Sequence, residues 1–232
     1  MSKTLLFSFV LGSLFSFSFQ QNEKKESEKD KAASKLLKEV SKKYKAYKTL
    51  KADFSVLIEP ADEKKGTKKT EKGTLWSKGN NFKLVYGGQE IFCNGKYIWT
   101  YTPDNSECTK EDYNPNAGSG LNPSKIFSIW EKGFLYASDG TYKKGTQEIA
   151  KIKLTPTDKA KPYFLMNLEV DNTAKTVQSL KVSFKSGIKQ TYTVTSQVPN
   201  STIDDKSFEF DPAKFPGVEV VDLTSKTKPK GK

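Results

Sequence analysis

The chain has 232 residues, and all 39 of its strongly basic side chains are lysine; it contains neither arginine nor histidine. With 27 acidic residues the formal charge is +12. Those counts exclude a histidine-based triad, an imidazole proton shuttle, a His-ligated metal and a guanidinium clamp for guanine, phosphate or carboxylate. Lysine can still hold anions in a weak, salt-sensitive way, but a solvated lysine surface is the simpler expectation.

The N-terminus joins Lys3 to an apolar stretch from Leu5 to Phe17, with a small-x-small site at Ser16 and Ser18 and polar Gln20, Gln21 and Asn22 after it. That is the pattern of a cleaved secretory signal over residues 1–18. The stretch is shorter than the ~20 apolar residues a membrane span needs. Residues 19–30 read as a flexible charged leader. The expected product is an exported, soluble, monomeric protein.

From Ala33 the apolar residues Leu36, Leu37, Val40, Tyr44 and Tyr47 recur at helical spacing, with lysine and glutamate opposite them. This predicts an amphipathic helix whose apolar stripe covers something. The period then switches to two at Phe54, Val56 and Ile58. Strand-like segments follow at Gly73–Lys78, Phe82–Tyr86, Glu90–Cys93, Lys96–Thr102 and Glu107–Tyr113. Pro, Gly, Ser and Asn fill residues 114–122, a loop. Pro123 opens a short apolar helix carrying Ile126, Phe127, Ile129 and Trp130, stopped at Gly133. Strands resume at Glu148–Thr155, Tyr163–Asp171, Thr176–Lys185 and Lys189–Gln197. Phe164, Met166, Leu168 and Val170 are expected on one face. Phe208–Phe210 and Val218–Val221 are short final pieces, and 223–232 a disordered lysine-rich tail. About ten or eleven antiparallel strands with turn chemistry between them predict a curled, unclosed barrel of α+β class.

Cys93 and Cys108 flank the Asn94-Gly95 turn. A tight turn would pair Cys93 with Lys96 and leave Cys108 opposite Tyr101, so the two sulfurs point to opposite faces. That register opposes a disulfide; a slipped one would permit it.

Catalytic signals are thin. The cysteines have no histidine partner. The carboxylate pairs Asp204-Asp205 and Glu111-Asp112 could in principle serve as acid and base, but Asp204-Asp205 suits a solvated turn before Lys206; Gly118-Ser119-Gly120 lacks the context of a phosphate loop, and no calcium-loop spacing appears. An enzyme acting on lipid or glycan would need converging carboxylates. No cofactor, metal or nucleic acid is expected. The remaining resource is apolar surface under a short helix set between a loop and a glycine, an arrangement suited to sheltering a lipid chain.

The segments Gly73-Thr-Leu-Trp76-Ser-Lys and Ile91-Phe-Cys-Asn94-Gly95-Lys-Tyr-Ile-Trp99-Thr-Tyr101-Thr-Pro103, with the helix after Pro123, resemble the outer-membrane lipoprotein carrier protein family, LolA, over about Lys31 to Val221. The resemblance implies one domain over 31–222 that takes acylated lipoproteins from an inner-membrane releasing transporter, crosses the periplasm with their acyl chains inside, and gives them to an outer-membrane acceptor. It also leaves open a same-fold protein that senses lipoproteins or binds glycolipids. Family members often hold the helix closed with an arginine after the Gly-x-apolar-Trp strand; Lys78 stands nearest that place here, without the planar fork. The expected acyl-chain cavity is lined by Trp76, Phe82, Leu84, Trp99, Phe127, Trp130, Phe164, Met166 and Leu168.

Overall fold

A computed structural model describes residues 28–115 and 123–225. The expected signal peptide, most of the leader, residues 116–122 of the loop and the tail from 226 onward lie outside the described residues. Helix α1 (Glu28–Lys45) begins inside the segment expected to be leader. It buries Ala33, Leu36, Leu37, Val40 and Tyr44 on one stripe. Lys42, Lys43 and Lys45 in its last turn suit the negative end of the helix dipole.

Twelve strands follow in one sheet: β1 (Leu50–Glu59), β2 (Lys69–Lys78), β3 (Asn81–Tyr86), β4 (Gln89–Cys93), β5 (Tyr97–Thr102), β6 (Glu107–Asp112), β7 (Phe134–Lys144), β8 (Gln147–Pro156), β9 (Tyr163–Asp171), β10 (Thr176–Phe184), β11 (Lys189–Pro199) and β12 (Glu219–Asp222). Their order is β12-β6-β5-β4-β3-β2-β1-β11-β10-β9-β8-β7. Every neighbouring pair is antiparallel except β12 with β6. The sheet curls without closing, and β12 and β7 are its two edges. A 3₁₀ helix at Pro123–Glu131 is the inserted apolar helix.

β7 has no counterpart in the sequence reading. It is an edge strand, so most of its side chains face water, Leu135 among them. The apolar alternation that reveals an interior strand is therefore missing. Residues 223–225, expected in the tail, are tied to β6: the Leu223 amide donates to the Lys110 carbonyl at 2.8 Å and the Ser225 amide to the Asp112 carboxylate at 2.8 Å.

The two faces carry separate cores. On the concave face α1 packs over Ile152, Leu154, Met166, Leu168, Leu180 and Val182, and Leu75, Phe82 and Cys93 form a second group beside them. On the convex face Phe92, Trp99 and Cys108 pack under Phe210, which belongs to the segment between β11 and β12. Phe210 stacks on Phe215, centroids 4.7 Å apart, and Phe215 lies 4.5 Å from Tyr101. Those rings seal a patch that would otherwise be exposed apolar sheet.

The hairpin between β4 and β5 corrects the expected register. The Asn94 carboxamide oxygen accepts from the Lys96 and Tyr97 amides at 3.0 and 2.9 Å, widening the turn. Cys93 therefore pairs with Ile98, not Lys96, while Cys108 does face Tyr101. The cysteines are free, buried and on opposite faces. Burial pushes both thiols up, Cys108 to about 11, so at neutral pH neither is a reactive thiolate.

Candidate functional site

Between the two concave-face cores the sheet is not filled. A cavity of about 320 Å³ remains, within the ~300–1,000 Å³ range of small-ligand sites. Its floor is the middle of the sheet: Phe54 from β1, Leu84 from β3, Leu168 from β9, Leu180 from β10, and Tyr192 and Val194 from β11. Pro123, Ile126 and Phe127 form its roof. The polar groups at the wall are few, and two of them satisfy each other: the Tyr192 hydroxyl donates to the Gln190 side chain at 2.6 Å. Burial pushes the Tyr192 phenol up to about 12.

One glycine shapes the floor. A Cβ on Gly73 would lie 2.5 Å from the Phe54 ring and 2.8 Å from the Val85 carbonyl oxygen. Gly73 faces Phe54 across the β1–β2 pair. The missing side chain lets the Phe54 ring lie across β2 at the cavity wall.

The roof is held from one end. Phe127 stacks on Tyr44 of α1, centroids 4.6 Å apart and planes 3° from parallel. The Trp130 indole N–H donates to the Ser41 hydroxyl at 2.8 Å and to the Leu37 carbonyl at 3.3 Å. Lys45 pairs with Glu131 at 2.6 Å, and that ammonium holds the carboxyl below its usual range. Tyr44 in turn donates from its hydroxyl to Gln197 at 2.6 Å and accepts from the Val177 amide at 3.0 Å; burial pushes it up to about 12. So α1 is bolted to β10 and β11, and the far end of the inserted helix is bolted to α1. At the end nearest Pro123, the apolar side chains of Pro123, Ile126 and Phe127 border the cavity.

Of the residues expected to line the cavity, Leu84, Phe127 and Leu168 do so. Phe82, Met166 and Trp130 are packed solid in the adjoining cores. Trp76 and Trp99 are corrections: their register puts them in the row of Lys83 and Phe92, on the convex face, and Ile98 takes the inward position. Phe164 is a third. The β9–β10 register jumps from Ser183↔Leu165 to Phe184↔Tyr163, a bulge at Phe164. The bulge turns Tyr163 into the wall and leaves Phe164 52% exposed. Lys78 is a fourth: its ammonium meets Asp205 at 2.7 Å, in the segment after β11, rather than the inserted helix. The wall residues missed by the sequence reading, such as Tyr192 and Val194, sit on a strand whose alternation is polar with Thr on the other face; only the pairing of β11 with β1 marks their side as concave.

The architecture is therefore a curled, open antiparallel sheet with an apolar pocket under a helical cover. Residues 45–211 match the family described as outer membrane lipoprotein carrier protein LolA. The chain belongs to that family. No functionally curated protein matches the sequence. A conserved, uncharacterised protein of Thermus thermophilus has the same fold at 9% identity, with a TM-score of 0.55 over 82% of this chain and 99% of that one. A LolA superfamily protein of Nitrosomonas europaea aligns at 14% identity and a TM-score of 0.43, over 77% of this chain and 98% of that one. MucB in the MucA/MucB complex of Pseudomonas aeruginosa aligns at 8% identity and 0.42, over 78% and 61%.

Proposed function

We propose that this protein is an exported, non-enzymatic carrier of acylated lipoproteins. It takes them from an inner-membrane releasing transporter, shields their acyl chains in the cavity across the periplasm, and passes them to an outer-membrane acceptor. The observation that carries this reading is the apolar cavity of about 320 Å³ beneath Phe127. Membership of the family supports it. Leu84, Phe127 and Leu168, with Phe54 and Val194, are the residues proposed to touch the chain.

The energetics suit a carrier. Each buried methylene contributes ~0.8 kcal/mol, so part of one or two chains gives affinity that a receiving site can still exceed. The roof over the cavity is made of apolar side chains, Pro123, Ile126 and Phe127, so opening it exposes apolar contact. The test is to isolate the protein from its native envelope and identify bound material by mass spectrometry. Acylated peptides are expected. Phospholipid or glycolipid without acylated peptide overturns the carrier reading in favour of a lipid-sensing or glycolipid-binding envelope protein.

A further inference from the structure

We infer that the rim of the cup beside the cavity mouth is a docking surface for an anionic membrane. The antiparallel order puts the turns at 60–68, 157–162 and 185–188 and the start of β7 along one rim, at the same end of the strands. They touch one another: the Lys185 ammonium donates to the Lys159 carbonyl, the Lys185 amide donates to the Pro162 carbonyl at 2.8 Å, and Gly187 abuts Ala61. Tyr163 and Phe184, at the ends of β9 and β10, line the cavity on this same side.

Three large apolar side chains stand in water along that rim: Leu135 at 67% exposure, Phe164 at 52% and Ile188 at 36%. Single exposed apolar residues need no explanation, but Phe164 is turned outward by a bulge in a strand that otherwise buries its large residues. Around these three the charge is one-sided. The 157–162 turn and the 185–189 stretch hold four lysines and one carboxylate, Asp158, which accepts from its own turn at the Ala160 amide. Among the described residues Lys159, Lys185 and Lys189 reach no carboxylate. The neighbouring 60–68 turn differs: its Lys65 and Lys68 are matched by Asp62, Glu63 and Glu59. Ammonium groups with no carboxylate partner, around protruding apolar side chains, complement a surface of anionic headgroups over hydrocarbon. Docking there would turn the cavity mouth toward the bilayer, and it requires nothing in the cavity.

The test is cosedimentation of the full chain with vesicles of phosphatidylcholine mixed with phosphatidylglycerol, against phosphatidylcholine alone. Binding is expected to the anionic vesicles only and to fade with added salt. Each juxtamembrane lysine strengthens association roughly fivefold, so Lys159→Glu with Lys185→Glu should weaken it at least about 25-fold. Phe164→Ser should weaken it several-fold at unchanged salt dependence. Lys143→Glu with Lys144→Glu, at the opposite end of the strands, should not change it. Equal or absent binding to the two vesicle types, full binding by the Lys159/Lys185 pair of reversals, or an equal loss in the Lys143/Lys144 pair overturns the proposal. Each variant's far-ultraviolet circular dichroism checks that it is folded.

Discussion

The ring of Phe127 lies flat on that of Tyr44, 4.6 Å between centroids, and so one aromatic contact couples the cavity roof to the helix that braces the sheet. Phe127→Ala removes the stack and part of the roof at once. The stack contributes ~0.5–1.5 kcal/mol beyond its area, so urea unfolding should show a loss of about 1–3 kcal/mol once the lost apolar burial is added. An apolar dye should enter the cavity faster in the variant than in the parent. An unchanged rate of dye entry would mean that Phe127 does not gate the mouth.

Gly73 makes a sharper demand. Alanine there places a methyl within 3 Å of both the Phe54 ring and a backbone carbonyl, and the carbonyl cannot step aside. Strain and overpacking of this kind cost ~1–3 kcal/mol. Gly73→Ala should lower stability by about that amount, and Phe54→Ala in the same chain should recover part of it. Additive losses in a double-mutant cycle would refute the close contact as the reason for the glycine.

What could be read ahead of the structure followed periodicity. The α1 stripe of Leu36, Leu37, Val40 and Tyr44, the inward run Met166, Leu168 and Val170, and a short helix opened by Pro123 all stand where the sequence predicts them. The errors at Trp76 and Trp99 have one cause: sequence alternation says which residues face together but not which way. Ile98 and Trp99 are both apolar, and only the C-terminal segment bearing Phe210 and Phe215 gives the convex face its own core. Phe164 followed the alternation of β9 until a bulge, set by pairing with β10, broke it. β7 went unread because its inward Phe134 and Tyr136 flank an outward Leu135 and are followed by an exposed polar run, so no apolar alternation shows.

Lys78 separates a resemblance from a geometry. Its ammonium is paired to Asp205, with the Lys78 side chain partly and the Asp205 side chain mostly in solvent. Exposed pairs contribute ~0–1 kcal/mol. Lys78→Met should therefore leave fatty-acid affinity and dye entry at parental values, with stability shifted by less than about 1 kcal/mol. A marked rise in dye entry would restore Lys78 as a latch on the inserted helix.

Two buried phenols set an alkaline limit. Tyr44 and Tyr192 are each pushed up from 10.0 to about 12, chiefly by burial. The protonated form is favoured in the folded state, so their contribution is complete below pH 10 and is lost as the pH rises toward 12. Across that window each should lower the unfolding free energy by about 1.4 kcal/mol per pH unit. Tyr192→Phe should flatten the slope by one tyrosine's share, as followed by urea unfolding at stepped pH. A parental slope in that variant would show that Tyr192 ionises as freely in the folded protein as in the unfolded chain.

Filling the cavity tests its use without touching its roof. Val194 is half-buried, faces Phe54 across the β1–β11 pair and borders the empty space. Val194→Trp puts an indole into volume now available to a guest. Because the space is already vacant, stability should change by less than the ~1–3 kcal/mol of ordinary overpacking. Binding of a fluorescent fatty acid should fall at least about tenfold, since the ring displaces several methylenes worth ~0.8 kcal/mol each. Binding that survives in a folded Val194→Trp protein would place the acyl chain elsewhere and remove the cavity from the mechanism.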